Sequence, residues 1–147
     1  MKIDKVESGG RYISRFAFAD DQIRFPLGFS LNSIFSKSLV IHECTHAHID
    51  NQGIGDHSFY EEEAVCYLAQ YIYLRTVDKH YKIPKDVPRN DGRFLFYEVA
   101  ADYIVKSKSK GYFYVVPPTT AQKLKMAVGR IAKGFAGKDK IVESDGT

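Results

Sequence analysis

Between Phe35 and Asp50 the chain repeats at three- and four-residue steps: Phe35, Leu39, His42, His46 and then Ile49 or Asp50. An α-helix puts such a series on one face, because 3.6 residues complete a turn and positions i, i+3 and i+4 stack along the axis. The helix is expected to start near Asn32, to run to about Asn51, and to stop at Gly53. It also gathers chemistry. Of the five histidines in the chain, three fall between His42 and Asp50, together with Glu43 and Asp50 itself.

The flanking sequence supplies partners for that helix. Arg11 to Phe18 alternates apolar with polar residues, Ala19 to Asp21 reads as a turn, and Gln22 to Phe25 resumes the alternation before Pro26 ends it. This predicts a β-hairpin whose second strand lies at a sheet edge. Downstream, Ser58 to Glu61 has the S-x-x-E form of a capping box and opens an apolar run from Ala64 to Leu74, so a second, buried helix is expected. Pro84 and Pro88 mark the loop Ile83 to Asp91. A third helix is expected over Gly92 to Lys106, with Phe96, Val99, Ala100, Tyr103 and Ile104 on one stripe. KSKSKG then turns the chain, YFYVV reads as a short extended segment, and a last helix runs from about Thr119 to Lys133. The expected class is therefore α+β: one domain over residues 1–147, with a small N-terminal sheet packed on the first helix and a flexible tail from Gly134.

Within the first helix, His42 and His46 project from one face a turn apart, with Glu43 between them. This is H-E-x-x-H, which offers two ring nitrogens to a Zn²⁺ ion and a carboxylate, about 100° around the helix, to a water beside it. His48 lies about 200° from His46 and is expected to face away. Asp50 either takes the second N–H of His46, fixing its tautomer, or caps the helix end. The longer pattern H-E-x-x-H-x-x-G-x-x-H is ruled out by Ile49 and Gln52, and no GTxD motif follows.

HECTHAHID resembles the active-site helix of thermolysin-like zinc peptidases, the gluzincins, in the form H-E-x-T-H-A-x-x-D. The resemblance covers about Leu39 to Gln70 and implies a minimal zincin-like fold. It also implies a third zinc ligand from a glutamate on the following helix, where EEEAVCYLAQ offers three. Glu61 fits the cap. Between Glu62 and Glu63 the choice is Glu63, because Cys66 is small one turn on, where Glu62 has the bulkier Val65, and because EAVC is similar to the E-A-x-small run of that group. His57, Arg93, Tyr97, Tyr112 and Tyr114 are unranked candidates for stabilising an oxyanion. The implied activity is hydrolysis of a peptide or protein substrate, with Glu43 as general base. The layout is also similar to ImmA/IrrE-like peptidases and to peptidase domains of bacterial effectors and polymorphic toxins, which implies an immunity or secretion partner. A non-enzymatic binding module with a structural zinc site is the alternative.

Bulk properties narrow the remaining classes. The net charge of +3 comes mostly from late lysines and reads as a solvated surface, so no nucleic-acid partner is expected. Two cysteines, Cys44 and Cys66, are too few for a disulfide framework and are expected to be reduced and buried. Neither a signal peptide nor an apolar run long enough to cross a bilayer is visible, so a soluble protein without membrane association is expected, cytoplasmic or exported without a cleaved signal.

Overall fold

The computed structural model describes residues 2–6, 11–15, 20–26, 29–53, 57–111 and 114–132, with the backbone alone described ahead of residue 29. From residue 29 onward the described chain is helical: α1 (Ile34–Asn51), α2 (Phe59–Val77), α3 (Arg93–Lys110) and α4 (Pro118–Ala132). These helices make up 70% of that part, and no strand occurs in it, which corrects the α+β expectation. The physical reason is where the apolar faces go. The buried cluster draws Ala64, Tyr71 and Leu74 from α2, Phe96 and Ala100 from α3, and Leu124, Ala127, Val128 and Ile131 from α4, with Ile83 from the intervening loop. Helices cover one another here, and the core's described members need no sheet.

The N-terminal expectation also fails in its details. Backbone strands β1 (Lys2–Val6), β2 (Arg11–Arg15) and β3 (Asp20–Pro26) run in the order β1-β3-β2. Asp20 and Asp21, expected in a turn, already belong to β3. That strand is central instead of an edge, parallel to β1 from Lys2↔Gln22 and antiparallel to β2 from Arg11↔Arg24. Alternation marks an extended chain but leaves strand order open. The expected strand residues Phe16 to Phe18 lie outside the described residues, as do Tyr112, Phe113, Lys133 and the tail from Gly134.

Each helix end has a local cause. Ser33 caps α1 by accepting the Ser36 N–H at 3.0 Å, and Gly53 closes it at φ +58°, the left-handed position that glycine tolerates. The expected capping box of α2 is present: the Ser58 hydroxyl accepts the Glu61 N–H at 3.2 Å, and Glu61 Oε2 accepts the Ser58 N–H at 3.1 Å. α3 runs through KSKSK to Lys110, four residues beyond its expected end. Its last turn is supported by a Lys106–Asp102 ion pair at 2.7 Å and a Ser109 hydroxyl donating to the Lys106 carbonyl at 2.9 Å. Gly92, just ahead of α3, is required by packing. A Cβ there would sit 1.9 Å from the Ala127 carbonyl oxygen of α4.

α2 touches all three other helices, which explains why its apolar residues are not confined to one stripe. Against α1 it runs antiparallel, since Ser38 meets Gln70 near one end of the seam and His46 meets Glu62 near the other. The Gln70 side-chain N–H donates to the buried Ser38 hydroxyl at 3.2 Å, and that hydroxyl donates to the Phe35 carbonyl at 2.6 Å. A small residue at Ser38 lets the helices approach one turn before His42. No described helix is long and apolar enough to cross a membrane.

Candidate metal centre

The α1–α2 seam brings the histidines and the three consecutive glutamates together, and each glutamate has its own partners. Glu61 turns back to its cap and reaches Lys125 of α4 at 3.2 Å. Glu62 sends Oε1 to His46 Nδ1 and Oε2 to His57 Nε2, both at 2.5 Å. Glu63 spans the remaining pair, with Oε1 3.0 Å from His46 Nε2 and Oε2 3.5 Å from His42 Nε2. A shift of one residue along α2 rotates the side chain by about 100°. Adjacent carboxylates therefore serve opposite nitrogens of the same ring.

Cys66 adds a sulfur to this group. One donor atom each from His42, His46 and Cys66 lies within 4.8 Å of the others, so these residues form a group able to hold a metal ion. Cys66 is wholly buried and stands one turn after Glu63 on the same face of α2. The sequence treated it only as a small residue that lets the helices meet, because its spacing from Glu63 signals closeness but not ligation. Both cysteines are free as expected, though Cys44 is half-buried where burial was expected.

Electrostatics follow from the crowding of acceptors around two imidazoles. Burial disfavours a charged His46, but Cys66, Glu62 and Glu63 outweigh it and raise the ring's pKa. Burial would raise the Glu63 carboxyl, yet His42 and His46 hold it down at about 2. Glu62 is lowered in the same way, its burial being overcome by His46 and His57. Burial pushes the Cys66 thiol up to about 11, so without a cation the sulfur keeps its proton. The site is thus rich in groups that favour a positive charge between them.

His42 is the under-bonded member. It is 7% exposed, its Nδ1 is buried without a hydrogen-bond partner among the described residues, and its Nε2 has only the long 3.5 Å approach to Glu63. The weakly engaged Nε2 is the nitrogen able to take a metal ion, while Nδ1 is a separate buried atom that such an ion would not satisfy. The Tyr67 ring packs edge-on against His42 at 4.6 Å and forms an aromatic wall that the sequence reading missed, although Tyr67 stands one turn beyond Glu63. No family model, curated protein or solved structure matches this chain.

The other expected residues divide clearly. Glu43 is buried beside His42, and after burial itself its charge is the next cause raising the Cys44 thiol. Asp50, read as orienting His46 or capping the helix, is half-buried at the end of α1, and Glu62 contacts His46 Nδ1. His48, expected to face away, is exposed. Of the unranked oxyanion candidates, His57 is engaged with Glu62. Arg93 is held by Asp91 at 2.9 and 3.0 Å, and the Tyr97 hydroxyl donates to the Tyr81 carbonyl at 2.7 Å. The Tyr114 hydroxyl accepts from Lys106 Nζ at 3.2 Å. Tyr112 lies outside the described residues.

Proposed function

We propose that the chain is a zinc-dependent peptidase, with His42, His46 and Glu63 holding the metal and Glu43 acting as general base. The observation that carries this reading is the Glu63 carboxylate lying across the two Nε2 atoms of the H-E-x-x-H pair, at 3.0 and 3.5 Å. Zinc supplies Lewis acidity at such a site, lowering the pKa of water toward about 7 and polarising a carbonyl. Glu43 would take a proton from the water as its oxygen adds to the peptide carbonyl carbon, and would deliver it to the leaving amine nitrogen as the C–N bond breaks. Burial of Glu43 keeps that proton from escaping to solvent. Glu62 holds His46 Nδ1, so that Nε2 is the nitrogen presented to the metal.

The test is Glu43→Gln. It should retain zinc and lose at least ~100-fold in peptide hydrolysis. Unchanged cleavage by that variant removes Glu43 from the chemistry.

A second reading is favoured by one observation, the presence of the Cys66 sulfur in the donor group. If the thiolate completes the coordination, no corner is open and the zinc is structural, as in closed four-ligand sites. That reading predicts that Glu43→Gln changes nothing and that His42→Ala unfolds the domain. Cobalt substitution separates the two. A sulfur-to-cobalt charge-transfer band abolished by Cys66→Ser, together with zinc affinity that also falls in Glu63→Ala, marks four protein ligands and a closed site, whereas its absence from wild-type protein leaves the corner open.

A further inference from the structure

We propose that His57 is a positioning residue of the metal centre, acting through Glu62 to hold the His46 ring with its Nε2 facing the metal. The inference rests on the metal-centre reading above and adds a residue that the H-E-x-x-H pattern does not contain. His57, Glu62 and His46 form a continuous line, Nε2 to Oε2 and Oε1 to Nδ1, with 2.5 Å at each junction. All three side chains are nearly buried, at 14%, 11% and 12% exposure, so water competes poorly for the carboxylate.

Position explains why a second clamp is needed. Glu62 stands in the first turn of α2, where unsatisfied backbone N–H groups and the positive end of the helix dipole attract carboxylates. Glu61 does yield to that attraction, folding back to the Ser58 N–H. Glu62, one residue past the capping position, feels the same helix-end attraction but reaches across to α1. The His57 ring, one residue ahead of the Ser58 cap, takes its second oxygen and holds it on the far side. Both imidazoles donate N–H to one carboxylate, which fixes the tautomers as Nδ1–H in His46 and Nε2–H in His57. A His46 ring free to tautomerise or swing would present the wrong nitrogen to the metal for part of the time.

Groups that hold a metal-bound histidine are worth roughly 10–100-fold in metal affinity. The experiment is a zinc titration against a competing chromophoric chelator, run on wild type, His57→Ala, His57→Gln, Glu62→Ala and the His57→Ala/Glu62→Ala double variant. Melting of each zinc-free protein is recorded in parallel. His57→Ala should bind zinc about 10-fold or more weakly, with zinc-free melting close to wild type. His57→Gln, which keeps an N–H donor at the position of Nε2, should recover most of the loss. The double variant should be no weaker than Glu62→Ala, because the two residues act in series. Wild-type affinity in His57→Ala, no recovery in His57→Gln, or additive losses would overturn the clamp while leaving the metal centre standing. Failure of the wild type to take up zinc would overturn the metal-centre reading, and this inference with it.

Discussion

Glu62 and Glu63 are chemically identical neighbours, and their different partners show what a helical sequence does and does not disclose. The H-E-x-x-H spacing fixes a helical face, so His42 and His46 were legible from residue type and distance alone. Which glutamate faces them depends on the rotation of α2 against α1, a tertiary quantity set by contacts such as Ser38–Gln70. Residue volume pointed to Glu63, and it is the Glu63 carboxylate that lies across both Nε2 atoms. The partner of Nδ1 was not legible, since Asp50 had the right spacing on the same helix while Glu62 arrives from another. Substitution separates these roles. Glu63→Ala should weaken zinc binding more than Glu62→Ala in a chelator competition, because in the proposed centre it removes a donor where the other removes a donor's support. The opposite order would move the ligand to Glu62.

Among the elements, helix starts with side-chain caps were read most accurately, because caps are local chemistry. Ser58 and Glu61 were recognised from four residues and form the reciprocal box. Ser58→Ala should cost about 1 kcal/mol in urea denaturation, and an unchanged midpoint would contradict the cap. The end of α3 was misread because Lys and Ser suggested a turn, whereas the Lys106–Asp102 pair and the Ser109 hydroxyl support another turn of helix. Gly92 was read only as a helix start. Its backbone lies so close to α4 that any side chain must displace Ala127, so Gly92→Ala should destabilise by on the order of 3 kcal/mol. A variant as stable as wild type would show that α3 and α4 can separate without cost. Strand order at the N-terminus was not legible, since the parallel pairing of β1 with β3 brings together segments far apart in sequence.

For the molecule as a whole, the helices divide the labour. α2, α3 and α4 bury the apolar cluster, while the other side of α2 meets α1 and holds the polar site. Sequence periodicity showed the helices but not that α2, α3 and α4 bury one another's apolar faces. A metal bridging α1 and α2 is also a fold constraint: saturating zinc at 100 times its Kd adds about 2.7 kcal/mol to stability. Chelation should therefore lower the melting temperature, and added zinc should restore it. The zinc-free protein should be sensitive to acid. Glu63 has its pKa at about 2 when folded against an ordinary 4.5, so the unfolded chain binds its proton more readily. Its contribution to stability is complete above about pH 4.5 and is lost as the pH falls toward about 2. Glu63→Gln should flatten that acid limb, and an identical limb in the variant would assign the acid sensitivity elsewhere. The most direct measurement is the metal content of the purified protein after incubation with zinc and desalting, alongside His46→Ala. Stoichiometric zinc in the wild type and none in the variant is the result predicted by a centre built on α1 and α2; a wild type that emerges without metal, or a variant that keeps it, would contradict that centre.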